Sequence, residues 1–282
     1  MSTTPQSPPA PRATAPVLAH AAPWLAAGTL CWRELVRFAR QPNRVAAAIG
    51  QPALFWILFG AGFGPTFAMP GAEGLTYREF FFPGTLVLVV LFTSIFTSIS
   101  LIEDRREGFL QSVLVAPVPR WALVAGKVAG GALLALLQAL LLLPAAWLFG
   151  LRLDAMSFVS LTLLLLLLSI ALTALGFAFA WRIDSSQGFH AVMSLLLFPL
   201  WMLSGAFFPA QSGPLAWIER VNPLGYGVAG VRRILAAGMP ADSLPAGLPS
   251  AVSCWLATAA FAAIMVGIAS RLARRATRGD LL

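Results

Sequence analysis

A serine and a histidine in one apolar segment are the residues of this chain whose types suggest catalysis. Ser204 carries a hydroxyl that could act as a nucleophile, and His190 could act as its base. A serine hydrolase needs the two side chains within hydrogen-bond reach. Fourteen helical residues separate them by ~21 Å, so they cannot pair within one helix. We therefore expect no catalytic residue here.

Gly126-Lys127 has the ending of a phosphate-binding loop. Such a loop follows G-x-x-x-x-G-K-[ST], in which backbone amides hold phosphate and the final hydroxyl meets Mg²⁺. Here Val128 replaces the hydroxyl residue and Trp121 replaces the first glycine. The sequence therefore predicts that this chain is not an ATPase and binds neither ATP nor Mg²⁺ itself.

Composition favours a membrane protein over a soluble one. The 282 residues are 59% hydrophobic and 11% charged, whereas soluble domains carry ~25% charged residues. Leucine runs such as 163–168 lack the alternation of a membrane β-barrel. The net charge of +8 is explained by basic residues on the cytoplasmic side rather than by nucleic-acid binding. The distant Cys31 and Cys254 predict neither a disulfide framework nor a metal site.

Apolar runs of about 20 residues or more with at most one charge, long enough to cross a bilayer, predict an all-α polytopic fold with six spans. These are residues 45–63, 82–102, 121–149, 157–181, 189–208 and 251–272. Together they define a transmembrane domain over 42–275. Residues 1–22, rich in Pro, Ala, Ser and Thr, are predicted to be a disordered tail, and 276–282 a cytoplasmic tail.

Residues 23–41 are predicted to form an amphipathic interface helix on the membrane surface, ending near Pro42. Three arginines recur at helical spacing on one face: Arg33, Arg37 and Arg40, continued by Arg44. The apolar residues Trp24, Cys31, Leu35 and Phe38 fall on the opposite face.

The segment after the second span is a dense cluster of charge containing a short patterned helix. Gly108 permits a break, after which four apolar residues form one helix-wide stripe, and Pro117 stops the helix. The stripe consists of Phe109, Leu110, Val113 and Leu114. One interpretation is a surface helix without a partner. The acidic residues Glu103, Asp104 and Glu107 suit a lipid surface poorly and favour a surface that a partner protein grips.

The segment from 209 to 250 is too long for a simple turn. Two short helices broken at Asn222-Pro223 predict a partly re-entrant external hairpin after span five. Phe207 and Phe208 would seal a path as its outer gate, and Tyr226 would hydrogen-bond to the turn it leaves. The alternative is an interfacial anchor, since Trp and Tyr suit the headgroup region.

Basic residues indicate the orientation. With the N-terminus inside, the cytoplasmic pieces hold all but five of the 19 Lys and Arg residues. The expected topology therefore has both termini in the cytoplasm of a plasma (inner) membrane. The five exceptions are Arg78, Arg152, Arg220, Arg232 and Arg233.

Three stretches resemble the permeases of ABC-2 type exporters. E-D-R-R-E-G-F-L-Q…P-V-P-R at 103–120 is similar to E-R-E-x-G-T-L-x-x-L…P-x-x-R of that family. Y-R-E-F-F-F-P-G at 77–84 is similar to Y-x-x-F-x-x-P-G. S-G-A-F-F-P at 204–209, with N-P-L-G-Y at 222–226, is similar to S-G-x-x-x-P…N-P-L-x-Y. The resemblance covers about residues 25 to 275 and is closest to the drug-resistance and lipooligosaccharide (nodulation-type) branch.

The resemblance implies a permease that works with separate ATPase subunits and a second permease copy, a homodimer rather than a heterodimer. ATP and Mg²⁺ would sit on the ATPase, and the cargo would be an amphiphilic, drug-like, lipid or lipid-linked sugar compound. The helix after Glu107 would be the coupling helix beside the interface helix. The coupling residues would be Glu103, Arg105, Glu107, Gly108, Phe109, Leu110, Val113, Leu114, Pro117 and Arg120; the gate would comprise Phe207, Phe208, Asn222, Pro223 and Tyr226.

A secondary transporter or a non-transporting membrane scaffold remains the alternative. An ion-driven transporter usually has a carboxylate inside the membrane. No acidic residue lies in the middle of a predicted span; Asp154, Asp184 and Glu219 lie near span ends. This pattern favours ATP-driven export of an uncharged or amphiphilic cargo.

Overall fold

The computed structural model describes residues 22–63, 76–149, 153–207, 214–237 and 247–274, and within these ranges it is helical without strands. The helices are α1 Pro23–Ala39, α2 Pro42–Phe63, α3 Tyr77–Arg106, α4 Phe109–Val115, α5 Arg120–Leu142, α6 Ala155–Ala180, α7 Ser186–Trp201, α8 Pro214–Val221, α9 Pro223–Leu235 and α10 Ala251–Arg274. Six of them are long and apolar enough to cross a membrane: α2, α3, α5, α6, α7 and α10. The predicted all-α fold with six spans is confirmed. Residues 1–21 and 275–282, which hold the expected tails, lie outside the described ranges.

Helix α3 is the central element of the bundle. It contacts α2, α5, α6, α7 and α9, and most of its residues are buried. A capping box starts it, in which Thr76 Oγ1 accepts from the Glu79 amide and the Thr76 amide donates to the Glu79 carboxylate. At its other end α3 continues to Arg106, so the charges at 103–106 form its last turn rather than a loop beyond residue 102.

Two prolines accompany departures from regular α-helix near the ends of spans. The chain from Leu143 to Phe149, which contains Pro144, is a 3-10 continuation of α5. Pro199 precedes a kink at Met202–Ala206, where Leu203 and Gly205 leave helical backbone angles. Proline lacks the amide that an α-helix needs, and such positions commonly bend or rewind the helix.

The segment after α7 folds back against the bundle. Helix α9 contacts α3, α6 and α10, and its buried residues include Leu224, Val228 and Arg232. Helix α8 is the more exposed partner, with Trp217 68% exposed. The two helices therefore pack as a hairpin that covers the start of α3.

Candidate functional site

Helix α1 lies directly against α5, where two glycines permit close approach. A Cβ on Gly126 would meet the Ala27 carbonyl oxygen at 2.7 Å, and one on Gly130 would meet Glu34 Cβ at 2.8 Å. These small residues therefore bring two helices of the same chain into close contact.

The face that α1 buries differs from the expected one. Ala27, Leu30, Glu34 and Phe38 are buried, whereas Trp24 is 75% exposed. The stripe is rotated because α1 packs on α5 instead of lying only on lipid, and it includes a carboxylate. The helix ends at Ala39, and Pro42 begins α2.

The buried carboxylate of α1 belongs to an ionic group, which we call the Lys127 cluster: Glu34, Ser100, Asp104 and Lys127. Lys127 Nζ lies 2.5 Å from Glu34 Oε1 and also bonds Asp104. Ser100 Oγ donates to Glu34 Oε2 at 2.6 Å. The three ionised residues are at most 5% exposed. The cluster joins α1, α3 and α5 at one point.

Two of the interface-helix arginines extend this cluster. Arg33 donates to both oxygens of Asp104, at 2.7 and 3.0 Å. Arg37 donates to Asp104 at 2.6 Å and to Glu103 at 2.9 Å, and Arg44 also bonds Glu103. The hydrogen bond to Asp104 raises the pKa of Arg33 above its ordinary value. The predicted basic face is thus largely engaged by α3.

A groove of about 550 Å³ remains beside this arrangement. Arg40 and Glu107, both exposed, are among the residues that line it. Its lining consists of Trp32, Arg33, Val36, Arg37, Arg40, Gln41 and Glu107. The groove therefore combines aromatic surface with charges of both signs.

Helix α4 begins at a left-handed glycine. Gly108 has φ +76° with open space around the position of a Cβ, so its backbone angle and not close packing selects glycine. The predicted stripe of α4 faces the chain's own core: Leu110 is buried, and Phe109, Val113 and Leu114 pack against it. Phe109 lies under the Arg33 guanidinium at 3.7 Å. The exposed side presents Gln111, Ser112 and Val115.

The remaining predicted coupling residues tie helix ends together. Arg105 donates to the Trp181 carbonyl at 2.7 Å and to Asp184 at 2.9 Å. Arg120 donates to the carbonyl of Ala273, at the end of α10. Pro117 is exposed. These contacts join the α3–α4 turn to the α6–α7 loop and join α5 to α10.

At the opposite end of α3, two of the three resembling stretches meet. Trp201 Nε1 donates to the Gly84 carbonyl at 2.8 Å, and a Cβ on Gly84 would meet Ala206 Cβ at 2.6 Å. Tyr77 Oη donates to the Phe207 carbonyl at 3.2 Å. The absence of a side chain at Gly84 and the small side chain of Ala206 therefore let α3 touch the kink at Met202–Ala206.

The hairpin is fixed by its Asn-Pro break and by Tyr226. Asn222 Oδ1 accepts from the Leu224 amide, which caps α9, and Asn222 Nδ2 donates to the Leu200 carbonyl. Pro223 occupies the first turn of α9. Tyr226 Oη donates to the Arg220 carbonyl at 2.9 Å, so the expected bond from Tyr226 to the preceding turn is confirmed.

Phe207, predicted for the gate, packs within this chain. Its ring lies edge-on to Phe59 at 4.8 Å and to Phe81 at 5.5 Å, in an aromatic group that includes Trp201. Phe208 lies outside the described residues.

A second buried charge lies here, in what we call the Arg232 cluster: Phe80, Gly205, Glu219 and Arg232. Arg232 donates to the Gly205 carbonyl at 2.9 Å and to the Phe80 carbonyl at 3.3 Å, and stacks over the Phe80 ring at 4.2 Å. Its Nε is buried without a hydrogen-bond partner in the described part of the chain. Burial lowers the pKa of Arg232 to about 10, although Glu219 opposes the shift.

Sequence reasoning did not select Glu34, Asp104, Lys127 or Arg232 as site residues. A signal existed for two of them, because Lys127 and Arg232 interrupt apolar stretches, where a charge usually has a partner. Nothing in the sequence indicated which partners these would be.

The fold and these two clusters define a multi-pass α-helical membrane protein with an ionic platform at one end of α3 and a packed hairpin at the other. The sequence pattern of the ABC-2 type transporter family matches residues 26–236. The chain belongs to that family.

Similar proteins support this family assignment. The chain is 30% identical to transport permease ycf38 of Cyanophora paradoxa, over 71% of this chain and 70% of that protein. It is 27% identical to the inner membrane transport permease YadH of Escherichia coli K12, over 74% and 82%. It is 23% identical to the daunorubicin resistance ABC transporter permease protein DrrB1 of Streptomyces coeruleorubidus, over 73% and 74%. The chain is therefore a membrane transport component rather than a catalytic subunit.

Proposed function

We propose that this chain is the membrane subunit of an ATP-driven exporter that moves an amphiphilic, drug-like, lipid or lipid-linked sugar compound outward. The observation that carries the proposal is the platform at one end of α3. There ion pairs hold α1 to α3 and α5, and α4 packs on the core with Phe109 under Arg33, so that a push on either helix would reach the bundle. The similarity to DrrB1, a daunorubicin resistance permease, supports a drug-like cargo.

The platform suits a separate ATPase subunit that holds ATP and Mg²⁺. Because the apolar stripe of α4 packs inward, the partner would contact the other side of that helix, at Gln111, Ser112 and Val115, and the groove beside Arg40. Rigid-body alternation of the spans would then expose a path to the outside. We place this surface, and both termini, in the cytoplasm, because the basic residues favour that side of an inner membrane.

A second copy of the chain, forming a homodimer, would complete the path. Five of the six long apolar helices leave faces uncovered in a single copy, as α2 shows with Leu54, Ile57 and Leu58 all more than half exposed. Lipid and the second copy would share these faces. The α8–α9 hairpin, with Phe207, Phe208, Asn222, Pro223 and Tyr226, would form the outer gate between the two copies.

Two exposed valines provide a matched test of ATPase docking. Val115 in α4 is 85% exposed and Val221 in α8 is 79% exposed. We expect Val115→Asp to lower the amount of ATPase recovered with the purified permease at least tenfold. Val221→Asp, at the opposite end of the bundle, should leave recovery unchanged.

Equal recovery with both variants would contradict docking on α4. If no ATPase accompanies the wild-type chain and none is stimulated by it, the alternative of a secondary transporter or a non-transporting scaffold is favoured.

The left-handed glycine tests the shape of the same turn. Gly108→Val forces a β-branched residue into φ +76°, whereas asparagine tolerates that region. We expect Gly108→Val to weaken ATPase stimulation and Gly108→Asn to retain most of it. Equal stimulation would show that the turn does not take part in coupling.

A further inference from the structure

We infer that Lys127 and Glu34 are positioning residues for coupling: their buried ion pair makes α1 move as one body with α3 and α5 when the ATPase acts. This inference rests on the proposed function and assigns a part in it to two residues away from the docking surface. It concerns how movement passes through the chain rather than what binds to it.

The position of the pair follows from the packing of α1 on α5. Lys127 lies between Gly126 and Gly130, whose missing side chains let the α1 backbone approach. The Glu34 carboxylate therefore reaches Lys127 at 2.5 Å. Asp104 of α3 forms an ion pair with the same ammonium group, so a single cation holds three helices together.

The chemistry of this junction differs from that of its apolar surroundings. Apolar contacts, such as those of Leu30 and Phe38, are non-directional, so two helices joined only by them can slide with little loss. Sliding α1 by one turn, ~5.4 Å, would instead separate Glu34 from Lys127. A buried charge that loses its partner is strongly destabilising. The ion pair therefore resists slippage of α1 along α5.

A merely structural role can be separated from a coupling role. Replacing a buried ion pair by apolar residues of similar volume is often neutral for stability. The double variant Glu34→Leu/Lys127→Met removes one charge of each sign and leaves Arg33 bound to both oxygens of Asp104. Such a protein should fold and bind the ATPase, and Arg33 and Arg37 would still pair α1 with α3, but α5 would be held to α1 by non-directional contacts alone.

The experiment uses the full permease–ATPase complex in lipid nanodiscs, where both faces of the membrane are open to the solution, and requires no cargo. In a background with Cys31→Ala and Cys254→Ala, Val221→Cys places a thiol on the exposed surface of α8. The rate of labelling by a membrane-impermeant maleimide is measured with and without ATP and Mg²⁺, beside ATP hydrolysis. In the parent, we expect ATP to change the labelling rate at least threefold. The double variant should hydrolyse ATP at a rate within twofold of the parent. Its labelling rate should be the same with and without ATP.

An ATP-dependent change in the double variant equal to that of the parent overturns the inference. Loss of the change in the double variant, with full change in Lys127→Arg, supports it, since arginine keeps the cation. If the double variant cannot be recovered, Glu34→Gln/Lys127→Gln is judged by the same criterion. A parent that neither hydrolyses ATP nor responds to it contradicts the proposed function itself, and the inference falls with it.

Discussion

The Lys127 cluster and the Arg232 cluster lie at opposite ends of α3 and neutralise buried charge in different ways. In the Lys127 cluster cations meet carboxylates directly, and Asp104 alone receives Arg33, Arg37 and Lys127. In the Arg232 cluster the cation donates to the backbone carbonyls of Phe80 and Gly205 and faces an aromatic ring.

The difference shows how each end holds its helices. Direct ion pairs in a buried setting fix the relative position of three helices, because each separation leaves a charge behind. Carbonyls in the kink at Met202–Ala206, where the backbone leaves helical angles, can be exchanged for other acceptors as the kink rearranges. The first end is therefore suited to transmit movement as a block, and the second to change shape.

The largest effect expected from this comparison is the loss of the Lys127 ammonium group. Lys127→Ala leaves Glu34 and Asp104 buried with one fewer cation and should cost about 3–5 kcal/mol of stability. The unfolding midpoint of the detergent-solubilised protein measures it. The double variant Glu34→Leu/Lys127→Met is the matched control and should recover most of the loss; similar midpoints for both would contradict the ionic origin.

The second largest effect is expected at the kink Met202–Ala206, beside Arg232. Gly205 has φ +72°, and a Cβ there would overlap the Glu219 carboxylate. Gly205→Ala should therefore cost about 2–4 kcal/mol, from the left-handed backbone and from the overlap. Gly267→Ala, in α10 with open space around the position, should be neutral or slightly stabilising. A tolerated Gly205→Ala would mean that this kink rearranges even at rest.

The two ends should also differ in their response to pH through Glu219. Burial raises the pKa of the Glu219 carboxyl above its ordinary value, while Arg232 lowers it. Because the folded state holds this proton more tightly, the stabilisation is complete below the unfolded pKa of ~4.3 and is lost as pH rises through the folded pKa. Glu219→Gln should remove the contribution of this carboxyl to the pH dependence of the unfolding midpoint. If the pH profile of the variant equals that of the wild type, the dependence comes from other groups.

The smallest effect is expected at the exposed rim of the platform. The side chain of Asp184, which pairs with Arg105, is 87% exposed, and exposed pairs contribute less than about 1 kcal/mol. Asp184→Ala should barely shift the unfolding midpoint, since Arg105 keeps its hydrogen bond to the Trp181 carbonyl. A shift comparable to that of Lys127→Ala would remove the distinction between buried and exposed ion pairs at this end.

The spans and the hairpin could be predicted because their signals are local. Apolar runs of sufficient length predict membrane helices, and Asn222-Pro223 predicts a break whatever packs around it. The exact ends were less predictable: α3 includes the charged residues 103–106 because those carboxylates are neutralised by α1 and α5. The rotation of α1 was not predicted, because nothing near Glu34 in the sequence shows that it meets Lys127 of α5.

The sequence by itself determined the class of protein, the six apolar helices and the family resemblance, since each depends on composition or on residues close together in the chain. Only the tertiary structure decided the partners of the buried charges. It pairs Glu34 with Lys127 and directs Arg232 to the Gly205 carbonyl, between segments that are separated in sequence. Whether a buried charge is stabilising depends on the rotation and crossing of such helices. The hydrophobic period gives the face of one helix, but it does not say which charged side chain of another helix will meet it.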